Sequence, residues 1–388
     1  MADNKPHILV LPFPAQGHIN PALEFSKCLA SHEEAKESES IEGFFKQFNA
    51  AVSQKLGHEG LLGASFFTQA SCVCAIYYHI HQGLIKYPYD DSELFLPSMT
   101  PLEANDLPYF SFFPDPNNTV VRLLADQFSN LEEADWIFIN TFDKLENEVL
   151  NWMVSRWPFK TVGPTFSLTY CGKKFMTEKN HMINLFELNY EASMTWLDSR
   201  ETGSVVYVSF GSVASLKEQQ MEELAQGLIT SNCYFLWVVR SSEENKLPQN
   251  FTSMASEKGL VVNWCPQTEV LTHRAVACFM THCGWNSTLE ALSSGVPLIA
   301  MPQLVDQMTN AKLIEDVFRV GIRAKTDENG LVRREEIEMC IKHVIQGEKG
   351  KKLKESAGKW KELAKEAVDK GGSSATNVEI FVSKLLNL

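Results

Sequence analysis

Three stretches of the sequence gather side chains that could hold a charged ligand rich in hydroxyl groups. Trp264 stands just before Cys265, Pro266 and Gln267. His282 leads through Cys283 and Gly284 to Trp285, Asn286, Ser287, Thr288 and Glu290. Asp306 and Gln307 close a run that begins Met301-Pro302-Gln303-Leu304-Val305. A strand that turns at a glycine into a helix N-terminus is an anion site, because free N–H groups and the helix dipole point at it. Ser287, Thr288 and His282 add donors there. An aromatic face at Trp264 can stack a flat ring, and the carboxylate and amide at 306 and 307 suit neutral hydroxyls. Together these groups suggest a site for a nucleotide-sugar.

The neighbouring elements must bring these stretches together. Residues 276–280 form an apolar run of strand type, and Gly284 supplies the turn. A helix is expected to open at Asn286 or Ser287 and to stop at Gly295. A second strand over 296–300 ends before Pro302 and delivers Asp306 and Gln307 to the same edge of the sheet. From Ser204 onward the periodicity predicts strands over 205–210, 234–239, 260–263, 276–281, 296–300 and 320–324. Helices are expected over 217–229, 287–293, 307–317 and 334–346, which makes a doubly wound parallel sheet.

The first half reads less regularly. Residues 7–11 are a buried-type strand, followed by a loop with Gly17 and a helix over 19–30. His18 therefore stands at the C-terminal edge of that strand, where open α/β sheets bind ligands. Residues 33–42 are acidic and polar, and Phe44, Phe45, Phe48 and Val52 suggest an amphipathic helix. No second or third strand is visible there, so the N-terminal sheet is expected to be incomplete. Strands follow over 61–67, 136–140 and 160–162, and helices over 70–84, 119–130 and 145–153. Residues 164–190 read as an irregular linker. Two domains are expected, over 1–190 and 191–371. A charged helix spans 351–370, and a last amphipathic helix lies within 372–388.

Plain structural roles compete with the chemical ones. Asn286 and Ser287 suit helix caps, and Glu290 stands three residues after Ser287, the spacing of a capping box. Asp306 and Gln307 could be N-terminal helix residues, and Gln267 a solvated turn residue. Cys265, His273, Cys278, His282 and Cys283 invite comparison with zinc ligands, but no C-x-x-C pair is present and no metal is expected. A net charge of −13 argues against nucleic acid and anionic membranes as partners. It also requires a phosphate to be held by local donors. Nine scattered cysteines fit reduced thiols in a cytoplasmic protein. Neither a signal peptide nor a membrane span is apparent. The sequons at Asn117, Asn250 and Asn286 read as chance occurrences. The absence of G-x-G-x-x-G after a strand and of a Walker A motif leaves no support for nicotinamide or P-loop chemistry.

The stretch from Trp264 to Gln307 closely resembles the donor box of plant family-1 glycosyltransferases, which use UDP-sugars. Pro14 to Pro21 around His18, Tyr207 to Ser212, and Gly371 to Ser374 match as well. The resemblance implies the GT-B architecture of two facing Rossmann-like α/β domains, with the last helix crossing back onto the first. It implies transfer of glucose from UDP-glucose to a hydroxyl or carboxyl of a small plant metabolite, with inversion and without cofactor or metal, by a monomer. Trp264 would then stack uracil and Gln267 reach the uracil or ribose. Glu290 would accept from the ribose hydroxyls. His282, Ser212, Asn286 and Ser287 would serve the diphosphate, and Asp306 and Gln307 the sugar. Trp285 stands where glucose users carry tryptophan, whereas Leu304 replaces a tryptophan usual in the family. Ala15, Phe67, Val213 and Leu304 are candidate acceptor walls.

His18 would be the general base that takes the acceptor proton. The family gives it an aspartate partner, yet no aspartate occurs between Asp3 and Asp90. Glu59 is the one carboxylate near the following strand. The alternative reading is therefore a UDP-sugar-binding protein with impaired transfer.

Overall fold

The computed structural model describes residues 16–30, 63–90, 93–110, 119–165 and 189–386. The strand expected over 7–11, Ala15, the segment 33–60 with Glu59, and most of the 164–190 linker lie outside the described residues. The chain divides into two compact units, residues 1–183 with 363–388, and residues 184–362.

In the first unit, β1 (Ala64–Phe67), β2 (Trp136–Ile139) and β3 (Phe159–Thr161) form a parallel sheet in that order. Helix α1 (Gln16–Ala30) contributes Phe25, Cys28 and Leu29 to a core with Trp136, Phe138 and Val162. Helix α2 (Ser71–His81) follows β1, α3 (Thr119–Asp126) comes later, and α4 (Asn147–Val154) follows β2. The periodicity predicted these helices, although α2 and α3 end three or four residues early.

The second unit holds a six-stranded parallel sheet. After α5 (Tyr190–Asp198), β4 (Val205–Ser209) leads through α6 (Glu218–Thr230) to β5 (Tyr234–Val238). The short helix α7 (Phe251–Met254) precedes β6 (Gly259–Val262), and α8 (Gln267–Thr272) leads to β7 (Val276–Thr281). Then come α9 (Trp285–Ser294), β8 (Leu298–Ala300), α10 (Gln307–Lys312) with a π-turn over Leu313–Val317, and β9 (Gly321–Arg323). The spatial order is β6-β5-β4-β7-β8-β9. The chain builds outward from β4 and then returns to lay β7 against its other side.

Every residue of β4 is buried, which is why Val205–Ser209 reads as one apolar run and not as an alternation. Val206, Val208, Trp237 and Ile299 face the helices α6 and α11 (Arg334–Ile345), which supply Leu224, Leu228, Ile337 and Ile341. Ser209, Val238, Thr281 and Ala300 lie level with one another at the C-terminal ends of their strands. The loops after these strands therefore share one sheet edge, the position at which doubly wound sheets hold ligands. The long helix α12 (Gly347–Val368) carries the boundary between the units, and α13 (Ser373–Leu386) belongs to the first. There Val378 and Phe381 join the Trp136 and Phe138 core, and the Ser374 hydroxyl donates to the Gly163 carbonyl at 2.6 Å.

Candidate nucleotide-sugar site

The loop after β7 fixes the middle of the site. Cys283 takes a left-handed backbone (φ 66°), and α9 opens at Trp285 with Gly284 as its cap. The helix thus starts ahead of the expected Asn286 or Ser287, and neither of these residues is its cap. Its cap, Gly284, has no side chain to offer the helix start, and the first turn of a helix is where an anion is favoured. Gly295 ends the helix with φ 75°, as the sequence predicts.

His282 is wedged between two glycines. A Cβ on Gly211 would lie 2.7 Å from its Nε2, and a Cβ on Gly284 2.6 Å. Gly211 also has φ 70°, so that position requires glycine twice over. Burial is the main cause that holds the His282 pKa down to about 4; Arg240 adds to it, and a hydrogen bond with the Ser209 backbone opposes it. His282 is therefore neutral at neutral pH. It can meet a phosphate by hydrogen bonding but not as an ion pair. Arg240 donates to the carbonyls of Ser212 and Ala214 and so holds the loop after β4. Ser212 is half-buried and Val213 is exposed beside it.

A second cluster joins the loop after β6 to α9. Gln267, the first residue of α8, donates from Nε2 to Ser287 Oγ at 2.9 Å and to Glu290 Oε2 at 2.7 Å. Its Oε1 accepts from the Tyr207 hydroxyl at 3.1 Å. The spacing of Ser287 and Glu290 predicts a capping box, but Glu290 binds the Gln267 amide. Burial raises the Glu290 carboxyl to about 7 against the opposing pull of Gln267. Trp264, two residues after β6, is half-buried, and its carbonyl accepts from the Asn189 N–H at 2.9 Å.

The third cluster follows β8. Asn310 Nδ2 donates both to Asp306 Oδ2 and to the Cys283 carbonyl, each at 2.9 Å. One side chain thus ties the His282 turn to the start of α10. Burial raises Asp306 to about 6. Gln307 Oε1 accepts from the backbone N–H groups of Gln303 and Leu304 at 3.0 and 3.1 Å, which fixes which end of the amide carries its N–H groups. Trp285 is buried and Asn286 half-buried.

A family model described as UDP-glucoronosyl and UDP-glucosyl transferase matches residues 141–360. UDP glycosyltransferase 9 of Catharanthus roseus is 50% identical over 459 residues, covering 98% of this chain and 97% of that protein. The chain belongs to the plant family-1 UDP-glycosyltransferases. UDP-glycosyltransferase 74E1 of Arabidopsis thaliana is 41% identical, covering 97% of this transferase and 98% of that one. Os79 from O. sativa, solved in complex with UDP, superposes with a TM-score of 0.83 at 31% identity, over 98% of this chain and 100% of that chain. The glycosyltransferase fold is GT-B, as in those structures. The span aligned with the Catharanthus relative is 459 residues, longer than this transferase's 388. That relative therefore carries stretches with no counterpart here.

In the first unit of the transferase, His18 lies on α1 with part of its surface exposed. Crowding by protein atoms nevertheless lowers its pKa, so the ring is neutral at neutral pH. Its Nδ1 contacts the Thr68 hydroxyl at 2.6 Å. Phe67 is buried, with its ring stacked on Phe128 at 5.5 Å and tilted against Phe159 at 5.8 Å. Leu304 is buried in the core of the second unit. Of the four candidate acceptor walls, Val213 is thus the one with an open side chain among the described residues. Among the described residues no group of His, Cys, Asp or Glu is arranged to hold a metal, and no helix is long and apolar enough to cross a membrane.

Sequence reasoning missed Arg240, Asn310 and the role of Tyr207. A signal existed for Asn310, which stands four residues after Asp306 on one helix face. None existed for Tyr207, which reads as another large residue in a buried strand.

Proposed function

We propose that this enzyme transfers glucose from UDP-glucose to a small acceptor with inversion at the anomeric carbon, in the cytoplasm. The observation that carries the reading is the Gln267, Ser287 and Glu290 cluster at the first turns of α9. A carboxylate that can accept from a ribose diol stands there next to a site for a diphosphate. Trp264 would stack the uracil. Ser212, Asn286, Ser287 and neutral His282 would donate to the phosphate oxygens. Asp306 would accept from the sugar hydroxyls, and the Gln307 amide would donate to them. Os79 in complex with UDP supports a UDP site. So does a Phytolacca americana UGT2 structure with UDP-2fluoro-glucose and pterostilbene, 26% identical with a TM-score of 0.81. That structure also supports an acceptor that is a small molecule.

In the reaction, an acceptor oxygen forms a bond to the anomeric carbon as the bond from that carbon to UDP breaks. The acceptor proton passes to His18. For Nε2 to receive it, Nδ1 must carry the other hydrogen and donate it to Thr68. The charge developing on UDP falls on the N–H groups at the start of α9.

Mass spectrometry of products formed from UDP-glucose with a panel of phenols, carboxylic acids and alcohols tests the reading. A glucosylated product is expected. UDP-glucose is expected to bind more tightly than UDP-glucuronate by calorimetry, since Asp306 opposes a second carboxylate. Tighter binding of UDP-glucuronate would reject the donor assignment.

One observation favours a second reading, UDP-sugar binding with weak transfer. Between Asp3 and Asp90 the sequence offers no aspartate to balance an imidazolium at His18, as the family's aspartate does. On this reading acidic acceptors, already ionised, turn over, while alcohols do not.

A further inference from the structure

Tyr207 lies in the middle of β4 and is fully buried. Its ring stacks on Phe279 of β7 at 4.7 Å. Its hydroxyl reaches Gln267 Oε1 at 3.1 Å and Cys265 Sγ at 3.5 Å, and the Ser209 hydroxyl on the same strand face stabilises the phenol oxygen, as a donor does. Burial raises the phenol well above its ordinary pKa and the Cys265 thiol to about 12. Both groups therefore keep their protons. The Gln267 carbonyl can only accept, so the phenol donates to it and the thiol is free to donate to the phenol oxygen.

The rest of the chain follows from that direction. With its carbonyl held by Tyr207, the Gln267 amide has its nitrogen toward Ser287 Oγ and Glu290 Oε2. One N–H goes to each. Ser287, having accepted, has its own hydroxyl proton left to give. Glu290 has one oxygen engaged and a second left to accept. If the amide turned over, its carbonyl would face the Glu290 carboxylate, and both polarities would be lost.

We propose that Tyr207 is a positioning residue of the donor site, its buried hydroxyl locking the Gln267 amide so that Glu290 faces the ligand as an acceptor and Ser287 as a donor. The proposal rests on the UDP reading above and adds to it a residue that touches no ligand.

Calorimetry of the full chain with UDP and with 2′,3′-dideoxy-UDP tests it. The wild type is expected to prefer UDP, because only UDP offers the ribose hydroxyls to Glu290. Tyr207→Phe keeps the ring stack and removes one hydroxyl. It is expected to weaken UDP about ten-fold, the scale of one hydrogen bond to a charged group, and dideoxy-UDP by less than about two-fold. The preference between the two ligands then collapses. Equal weakening of both ligands, or no weakening of either, overturns the proposal. Failure of the wild type to bind UDP overturns the donor reading itself, and the proposal with it.

Gln267→Leu provides a background that does not depend on how well Tyr207→Phe folds. Adding Tyr207→Phe to it removes both ends of one hydrogen bond, which a folded core tolerates better than removing one end. The single and double variants are expected to bind UDP within about two-fold of each other. A further drop of about ten-fold in the double variant would show that Tyr207 acts by another route, and the proposal would fall.

Discussion

Two glutamates, Glu146 buried in the first unit and Glu290 half-buried in the second, are both desolvated, with opposite consequences. Glu146 of the first unit, just before α4, accepts from the backbone N–H groups of Ser71 and Cys72, each at 3.0 Å. It thereby satisfies the start of α2 from outside that helix. Burial raises its pKa, and the two backbone hydrogen bonds from Ser71 and Cys72 oppose that rise. Glu290 of the second unit is also raised by burial, but among the described residues its one hydrogen-bond donor is Gln267. Glu146 has each oxygen committed to the fold. Glu290 has an oxygen to spare. Desolvation and a raised pKa mark both residues, and unused acceptor capacity is what fits Glu290 to the proposed site and Glu146 to a strut.

The sharpest way to break this comparison is to truncate both. Glu146→Ala leaves two N–H groups of α2 unpaired and is expected to cost about 3 kcal/mol of stability, read as a lowered thermal midpoint with UDP affinity unchanged. Glu290→Ala is expected to do the reverse, changing stability by less than about 1 kcal/mol while UDP binding weakens by about 2 kcal/mol. If both variants lose stability alike, the distinction is wrong.

A smaller effect is expected at Trp264, which offers a ring face and no acceptor. Trp264→Ala should weaken UDP by about 1–2 kcal/mol through lost stacking, and should weaken uridine by the same amount. Calorimetry that finds uridine unaffected would make Trp264 a packing residue only.

The smallest effect is in pH. Glu290 titrates at about 7 and Asp306 at about 6, both raised by burial. A carboxyl accepts well from hydroxyls only when ionised, so UDP-glucose affinity should rise with pH through this range and level off above it. For folding the sign is opposite. Ionising Glu290 in the native state is disfavoured, so the ligand-free protein loses stability as pH rises from about 4.5 toward about 7. In Glu290→Gln the rise in affinity should be smaller and centred nearer 6, where Asp306 titrates. A profile identical to the wild type would remove Glu290 from the ligand.

Legibility in the sequence followed the physics of each element. The strands of the second unit were readable because fully buried parallel strands are continuous apolar runs, as in Val205–Ser209 and Val276–Thr281. Helix α8 was not, since six residues opening with Gln267 after a proline give no period to detect. Helix α5 begins where the expected linker ends, in residues assigned no element, and α7 has only four residues. The site chemistry was readable as residue types, and its connectivity was not. Nothing in the spacing reveals that Gln267 bridges Ser287 and Glu290, or that Asn310 reaches the Cys283 carbonyl. Such bonds form between segments brought together only by the sheet. The Thr68 contact of His18 is of the same kind, a partner 50 residues away.

The way the chain is partitioned has a consequence for synthesis. The second unit is one continuous stretch, residues 184–362, whereas the first needs residues 363–388 as well. Its core around Trp136 and Phe138 lacks Val378 and Phe381 until the whole second unit has been translated. On the ribosome, the unit made first is therefore the unit finished last. Until α13 arrives, an apolar sheet face with two large aromatic rings stays open to solvent. Chaperone demand during expression should fall on that interval, and a nascent chain stalled before residue 373 should aggregate through this face while its second unit is already native.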